Sequence, residues 1–238
     1  KMVFDDGGSG TVDNYGAITA TDSVYLVGKT ISNLGNITCP DGLVVMAAGD
    51  TVKLGQPGSA TIVDLADFTF STNNLTTAGA IEAKDIALGA GDIWASALTA
   101  TANGNASIIA KSTGDINIDG DIFADASPGS DAVASIDIIA GNDIYIDDAE
   151  VTAEAAGNFV DNATATVNIN AGKNVYIDDA AVYADAYDGA ANTATTNVTA
   201  NDGAVEVTAV EDDQAEVGAY ATDGVDNIAN VNITAKSE

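Results

Sequence analysis

A short phrase recurs along the C-terminal half of this chain, and it fixes what the chain can fold into. It reads Ser112-Thr113-Gly114-Asp115-Ile116-Asn117-Ile118, then Ala140-Gly141-Asn142-Asp143-Ile144-Tyr145-Ile146, then Ala171-Gly172-Lys173-Asn174-Val175-Tyr176-Ile177. A more diverged copy follows at Asn201-Asp202-Gly203-Ala204-Val205-Glu206-Val207. A period of about 30 residues means that no unit buries its apolar face alone, so each must stack on its neighbours.

Within each unit apolar and polar residues alternate, which argues for strands with one buried face. Ala132, Ala134, Ile136, Ile138 and Ala140 form one inward set, answered by Ala163, Ala165, Val167, Ile169 and Ala171. Ala194, Thr196, Val198 and Ala200 continue it, then Ala229, Val231, Ile233 and Ala235. Two further strands recur with the same step, one through Ile144/Ile146 and Val175/Ile177, the other through Val151/Ala153 and Val182/Ala184. The steps from Val182 to Val217 and from Ala200 to Ala235 are equal and longer than the rest. One insertion at Val210-Glu211-Asp212-Asp213-Gln214 therefore sits at a corner, and both columns close again after it. The expected fold is all-β: a parallel β-helix (a β-solenoid) with three strands per coil. Few aromatics and many Ala, Val and Ile side chains suit its narrow core.

The N-terminal half has a shorter period. Val12-Asp13-Asn14-Tyr15-Gly16-Ala17-Ile18-Thr19-Ala20 returns as Ile31-Ser32-Asn33-Leu34-Gly35-Asn36-Ile37-Thr38-Cys39, and more loosely from Leu75 to Ala83. Coils of about 20 residues fit tight Asn/Gly corners. The organisation expected is one continuous solenoid with two sections. Residues 1–100 carry the short coils with an excursion near 56–74, and residues 101–238 carry the longer ones. Together they give about nine coils, or about 45 Å at the ~4.8 Å spacing of strands.

The phrase from Gly35-Asn36-Ile37-Thr38-Cys39-Pro40-Asp41-Gly42 to Ala47-Ala48-Gly49-Asp50-Thr51-Val52-Lys53-Leu54 resembles a coil of the filamentous haemagglutinin family, the exoproteins of two-partner secretion. The resemblance covers about residues 10 to 95. It implies a right-handed β-helix exported through a dedicated outer-membrane pore, located outside the cell or on its surface, and acting in adhesion or surface structure. The family's early Asn-Pro-Asn export motif is not in this chain.

Charge narrows the partners. The formal net charge is −29, with seven basic residues, all Lys, and no His. Such a surface repels nucleic acid and anionic lipid. No apolar run reaches the ~18 residues of a transmembrane span, and the chain shows no signal peptide, so it is expected to be intracellular or already processed. Polysaccharide lyases built on β-helices need a basic catalytic residue and cationic groups for acidic sugars. With no Arg or His and scattered Lys, no such constellation exists, and no pair among the many carboxylates is marked out for glycoside hydrolysis. The expectation is a protein that is not an enzyme.

Candidate sites remain. Asp119, Asp147 and Asp178 recur at one position, with Asp148 and Asp179 beside the last two, and Asp125, Glu154 and Asp185 form another column. Like charges one strand apart repel by about 1 kcal/mol when solvated. Calcium bridging oxygens of successive coils would relieve this, making it the possible cofactor; the alternative is that the carboxylates are solvated at corners. Trp94, Tyr145 and Tyr176 share an outward column with Asn117 and Glu206, as a sugar-stacking stripe or a plain shielding ladder. Surface carbohydrate is thus a possible partner. Asn-x-Ser/Thr sequons at Asn74 and Asn105 are read as looped glycosylation candidates. The lone Cys39 aligns with Ala20 and Ala83 and reads as a small buried residue.

No capping helix is readable at either end. The chain enters coil register near Gly10 and leaves it one strand into a new coil, at Val231 to Glu238. Two open ends of matching pitch predict copies stacking head to tail into a filament. The alternative is a processed section of a longer secreted adhesin.

Overall fold

The computed structural model describes residues 2–5, 10–49, 51–54, 73–128, 131–209 and 215–236. It is an all-β, solenoid-like stack of parallel strands. Among the described residues the first ladder has eight rungs: Thr11–Asn14, Thr30–Asn33, Asn74–Thr77, Asp92–Ala95, Ile116–Ile118, Ile144–Asp147, Val175–Asp178 and Val205–Thr208. The remaining parallel strands form a single sheet that supplies two more ladders. In the first of these the strands Leu98–Asn103, Ile122–Ser127, Glu150–Ala156, Ala181–Tyr187 and Glu216–Ala221 pair in succession. In the other, Asn105–Ser112, Ala132–Ala140, Ala163–Ala171, Ala191–Ala200 and Asp226–Ala235 do so.

Three strands per coil does not hold throughout. The long strands Ile37–Ala48 and Ile81–Ala90 each serve two ladders. The register between them shifts from Cys39 to Leu43. The short N-terminal period thus comes from a corner taken inside one strand, where later coils spend a turn.

The columns close as the alternation demands. Ala132 pairs with Ala163, Val182 with Val217, and Ala200 with Ala235. The inward set from Ala132 to Ala171 is buried in one continuous core with Ile144, Ile146, Val175 and Ile177. Cys39 is fully buried against that core, and burial, then Asp22 and Asp41, push its thiol up. The repeated glycine is required by close approach. A Cβ on Gly172 would lie 1.9 Å from the Gly141 carbonyl oxygen of the coil before; at the corner on the other side of the first ladder, one on Gly35 would lie 1.9 Å from the Gly16 carbonyl oxygen.

Two segments depart from the expected stack. Thr51–Leu54, the end of the haemagglutinin-like phrase, pairs antiparallel with Met2–Asp5 in a separate two-stranded sheet. Of the excursion expected near 56–74, residues 56–72 lie outside the described residues, while Asn74 already opens a rung of the first ladder. The insertion at Val210 to Gln214 also lies outside them.

Candidate functional site

Polar side chains at the corners and on the outer faces form ladders that the sequence reading did not foresee. Asp92 Oδ1 accepts the backbone N–H of Asp115 at 2.9 Å, and Asp115 Oδ1 accepts that of Asp143 at 3.1 Å. Asp143 Oδ1 then takes the backbone and side-chain N–H groups of Asn174, each at 2.9 Å, and Asn174 Oδ1 takes the N–H of Ala204. This column is the Asp/Asn of the recurring phrase. Each side chain satisfies the first backbone donor of the next coil, a donor that would otherwise be orphaned at the corner. A second column runs across one sheet face: Asn168 donates to Asp137 at 2.7 Å, Asn197 to Asn168 at 2.7 Å, and Asn232 to Asn197 at 2.9 Å. A third lies in the core, where the amide of Asn14 donates to buried Asn33, and that of Asn33 to the buried Thr77 hydroxyl.

The acidic column Asp125, Glu154 and Asp185 pairs rung to rung. Its charge is partly shielded, because the Tyr187 hydroxyl donates to Glu154. The Tyr187 phenol is pushed up, first by that bond and then by burial. Burial, then Glu154 and Asp223, raises the Asp185 carboxyl, whose Oδ1 is buried without a hydrogen-bond partner.

The candidate site is on the outer side of the first ladder. Ile93, Ile116, Ile144 and Val175 turn inward and are fully buried, so their neighbours Trp94, Asn117, Tyr145 and Tyr176 turn outward. These four pair rung to rung, with Glu206 next after Tyr176. Tyr145 and Tyr176 stack with ring centroids 5.0 Å apart and planes 9° from parallel. Burial, then Asp143, Asp115 and Tyr176, raises the Tyr145 phenol, so it stays a neutral hydroxyl.

Two residues beyond Asn117, Tyr145 and Tyr176, strand alternation brings a carboxylate to the same side. Asp119, Asp147 and Asp178 therefore join the aromatic column in one groove of about 480 Å³. The two sets of candidates read separately from sequence are one site. The offset of two was visible in the strands Ile144–Asp147 and Val175–Asp178 and is the signal that unites them. Asp119 accepts the Ser96 hydroxyl at 2.6 Å, and Asp178 accepts that of Thr208. No basic residue lines the groove among the described residues.

The other candidates fall elsewhere. Asp148 and Asp179 are corner residues in the left-handed region, with φ of 50° and 47°. Asp is among the few residue types that adopt it readily, which accounts for their recurrence without a ligand. Among the described residues, no three acidic side chains come together as a metal site requires. The sequons are not looped: Asn74 and Asn105 each open a strand, Asn74–Thr77 and Asn105–Ser112, with Asn74 half-buried and Asn105 exposed. No helix of the described residues is long and apolar enough to cross a membrane. No known family's sequence profile, no curated protein and no solved structure matches the chain.

Proposed function

We propose that this protein is a non-enzymatic structural subunit, a right-handed three-sided β-helix that stacks head to tail into an extracellular or cell-surface filament with an adhesion or matrix role. The observation that carries this reading is the strand row that the last described coil presents to whatever follows it. Thr196 and Val198 are fully buried, yet their partners one rung on, Val231 and Ile233, are 44% and 52% exposed. Along Asp226–Ala235 every residue is exposed. An uncovered strand row with apolar side chains in its inward columns is a template for another strand row. Right-handedness is supported by the strong preference of parallel crossovers for that hand. The net charge and the haemagglutinin-like phrase support the location.

A second reading has its own support: a section of a longer secreted adhesin. Asp226–Ala235 spans ten residues, whereas Ser23–Gly28, its counterpart in the first coil, spans six. Further long coils of one chain would cover the last coil more completely than the short first coil of a second copy. Calcium between coils belongs to either reading only as an accessory.

Sedimentation of the purified chain over a range of concentrations separates the two. Stacking predicts polymers that grow with concentration, elongated in electron micrographs, and lost in Ile233→Lys. A monomer at every concentration sinks the filament and leaves the longer adhesin.

A further inference from the structure

The aromatic column of the first ladder has a gap. Trp94 and Tyr145 are two rungs apart, about 10 Å along the ladder, and the rung between them carries Asn117. Tyr176 covers one face of the Tyr145 ring, so the other face is turned toward Asn117. Asparagine is too short to cover a phenol ring. Its amide also carries no hydrogen bond among the described residues, unlike those of Asn33, Asn168, Asn174 and Asn197. The rung between Trp94 and Tyr145 therefore leaves room for one further group beside both side chains, which line the same groove.

We propose that this gap is a binding slot for a small organic cation with an apolar body, of the quaternary ammonium class. Aromatic faces carry the negative side of the ring quadrupole and attract a cation, Trp most strongly. Beside the gap lie Asp119, Asp147 and Asp178, and no compensating base lines the groove among the described residues. Asp119 and Asp178 already take hydroxyl donors, whereas Asp147 has no partner among the described residues. A net charge of −29 adds a long-range attraction for any cation. An acidic sugar or a phosphate is repelled by all of these groups. A bare divalent ion needs converging oxygens, which the groove does not bring together. A methylated ammonium is weakly hydrated, needs no donor or acceptor from the rings, and is shaped to lie between two apolar faces. The slot is on the side of the stack and does not depend on what covers its ends.

Trp94 is the only tryptophan, so its emission reports on the slot directly. The experiment titrates choline chloride into the purified chain at low salt, with sodium chloride, methyl β-glucoside and calcium chloride as parallel arms. The expected result is a saturable change in Trp94 emission with choline alone, weakened about tenfold in Asp147→Asn. Asn117→Tyr fills the gap by extending the Tyr145–Tyr176 stack and abolishes the response, while its melting temperature stays at or above that of the parent. Should that variant melt early, Tyr145→Ile removes one wall with a strand-favouring residue and gives the same loss. A response equal to that of sodium chloride, binding of the glucoside instead, or choline binding retained in the filled variant overturns the proposal.

Discussion

Gly172→Ala and Gly16→Ala each add one methyl group at a corner of the first ladder, before a strand at Gly172 and after one at Gly16, and have opposite expected outcomes. In Gly172→Ala the new Cβ lies 1.9 Å from the Gly141 carbonyl oxygen, a backbone atom that cannot swing aside. Ordinary contact requires more than 3 Å, so the two coils must separate locally by over 1 Å. Two hydrogen bonds span that junction, Gly172 N–H to Ala140 O and Lys173 N–H to Asn142 O, both at 2.9 Å. Losing both while their groups stay partly buried costs about 3–5 kcal/mol. In Gly16→Ala the Cβ meets nothing within 4 Å, because the position belongs to the first described rung. That variant gains only the reduced freedom of the unfolded chain, about 0.4–1 kcal/mol of stabilisation. Urea denaturation followed by far-ultraviolet circular dichroism compares the midpoints, and amide exchange around residues 171–175 locates the damage. Because stability in a stacked array is carried by nearest-neighbour interfaces, protection should fall first at that junction. Equal midpoints for the two variants would falsify the close-stacking account of the repeated glycine.

Two other perturbations test the polar columns. Asn168→Asp deletes the amide that donates to Asp137 and sets two carboxylates on adjacent rungs. It should cost about 2–3 kcal/mol at pH 7 and regain most of that near pH 4, as read from urea midpoints at the two pH values; a pH-independent loss would refute the ladder. The Asp185 carboxyl is held above its ordinary value of 3.8 by burial, then by Glu154 and Asp223. A raised folded value means that the folded chain binds the proton more tightly than the unfolded chain. Its contribution therefore rises as pH falls through the raised value and levels off near 3.8. Melting curves of the parent should show this acid-side gain over Asp185→Asn, and superimposable pH profiles would dismiss it.

The period and the inward columns were legible because burial acts on every second residue and therefore leaves a trace in every copy. Ala132 with Ala163 and Val182 with Val217 follow from that rule alone. The antiparallel pairing of Met2–Asp5 with Thr51–Leu54 was not legible. Nothing in two short segments far apart in sequence says that one leaves the stack to meet the other. The corner column Asp92, Asp115, Asp143 and Asn174 lies in the recurring phrase, yet the sequence reading gave it no role. Asp and Asn interchange along that column because it needs an acceptor for a backbone N–H, and a carboxylate serves as well as an amide oxygen. Asp148 and Asp179 recur for a different reason again, the left-handed corner each must make. The groove was legible in both its halves and missed as a whole, since the aromatic and acidic columns were compared between coils and not along one strand.

These columns explain how a chain of net charge −29 can stack carboxylates at strand spacing. The repulsion expected between neighbouring rungs presumes that each carboxylate faces only its own kind. Here Asp143 is bound by two donors of Asn174, Asp137 by Asn168, Asp119 by Ser96, Asp178 by Thr208, and Glu154 by Tyr187. Hydrogen bonds to a charged acceptor contribute about 1.5–3 kcal/mol each, which exceeds the roughly 1 kcal/mol of solvated repulsion at such distances. The balance is therefore set by donors of the protein, coil by coil, without requiring a bridging cation. The columns are also directional, since the corner acceptors reach toward the following coil while the Asn168, Asn197 and Asn232 amides donate back to the preceding one.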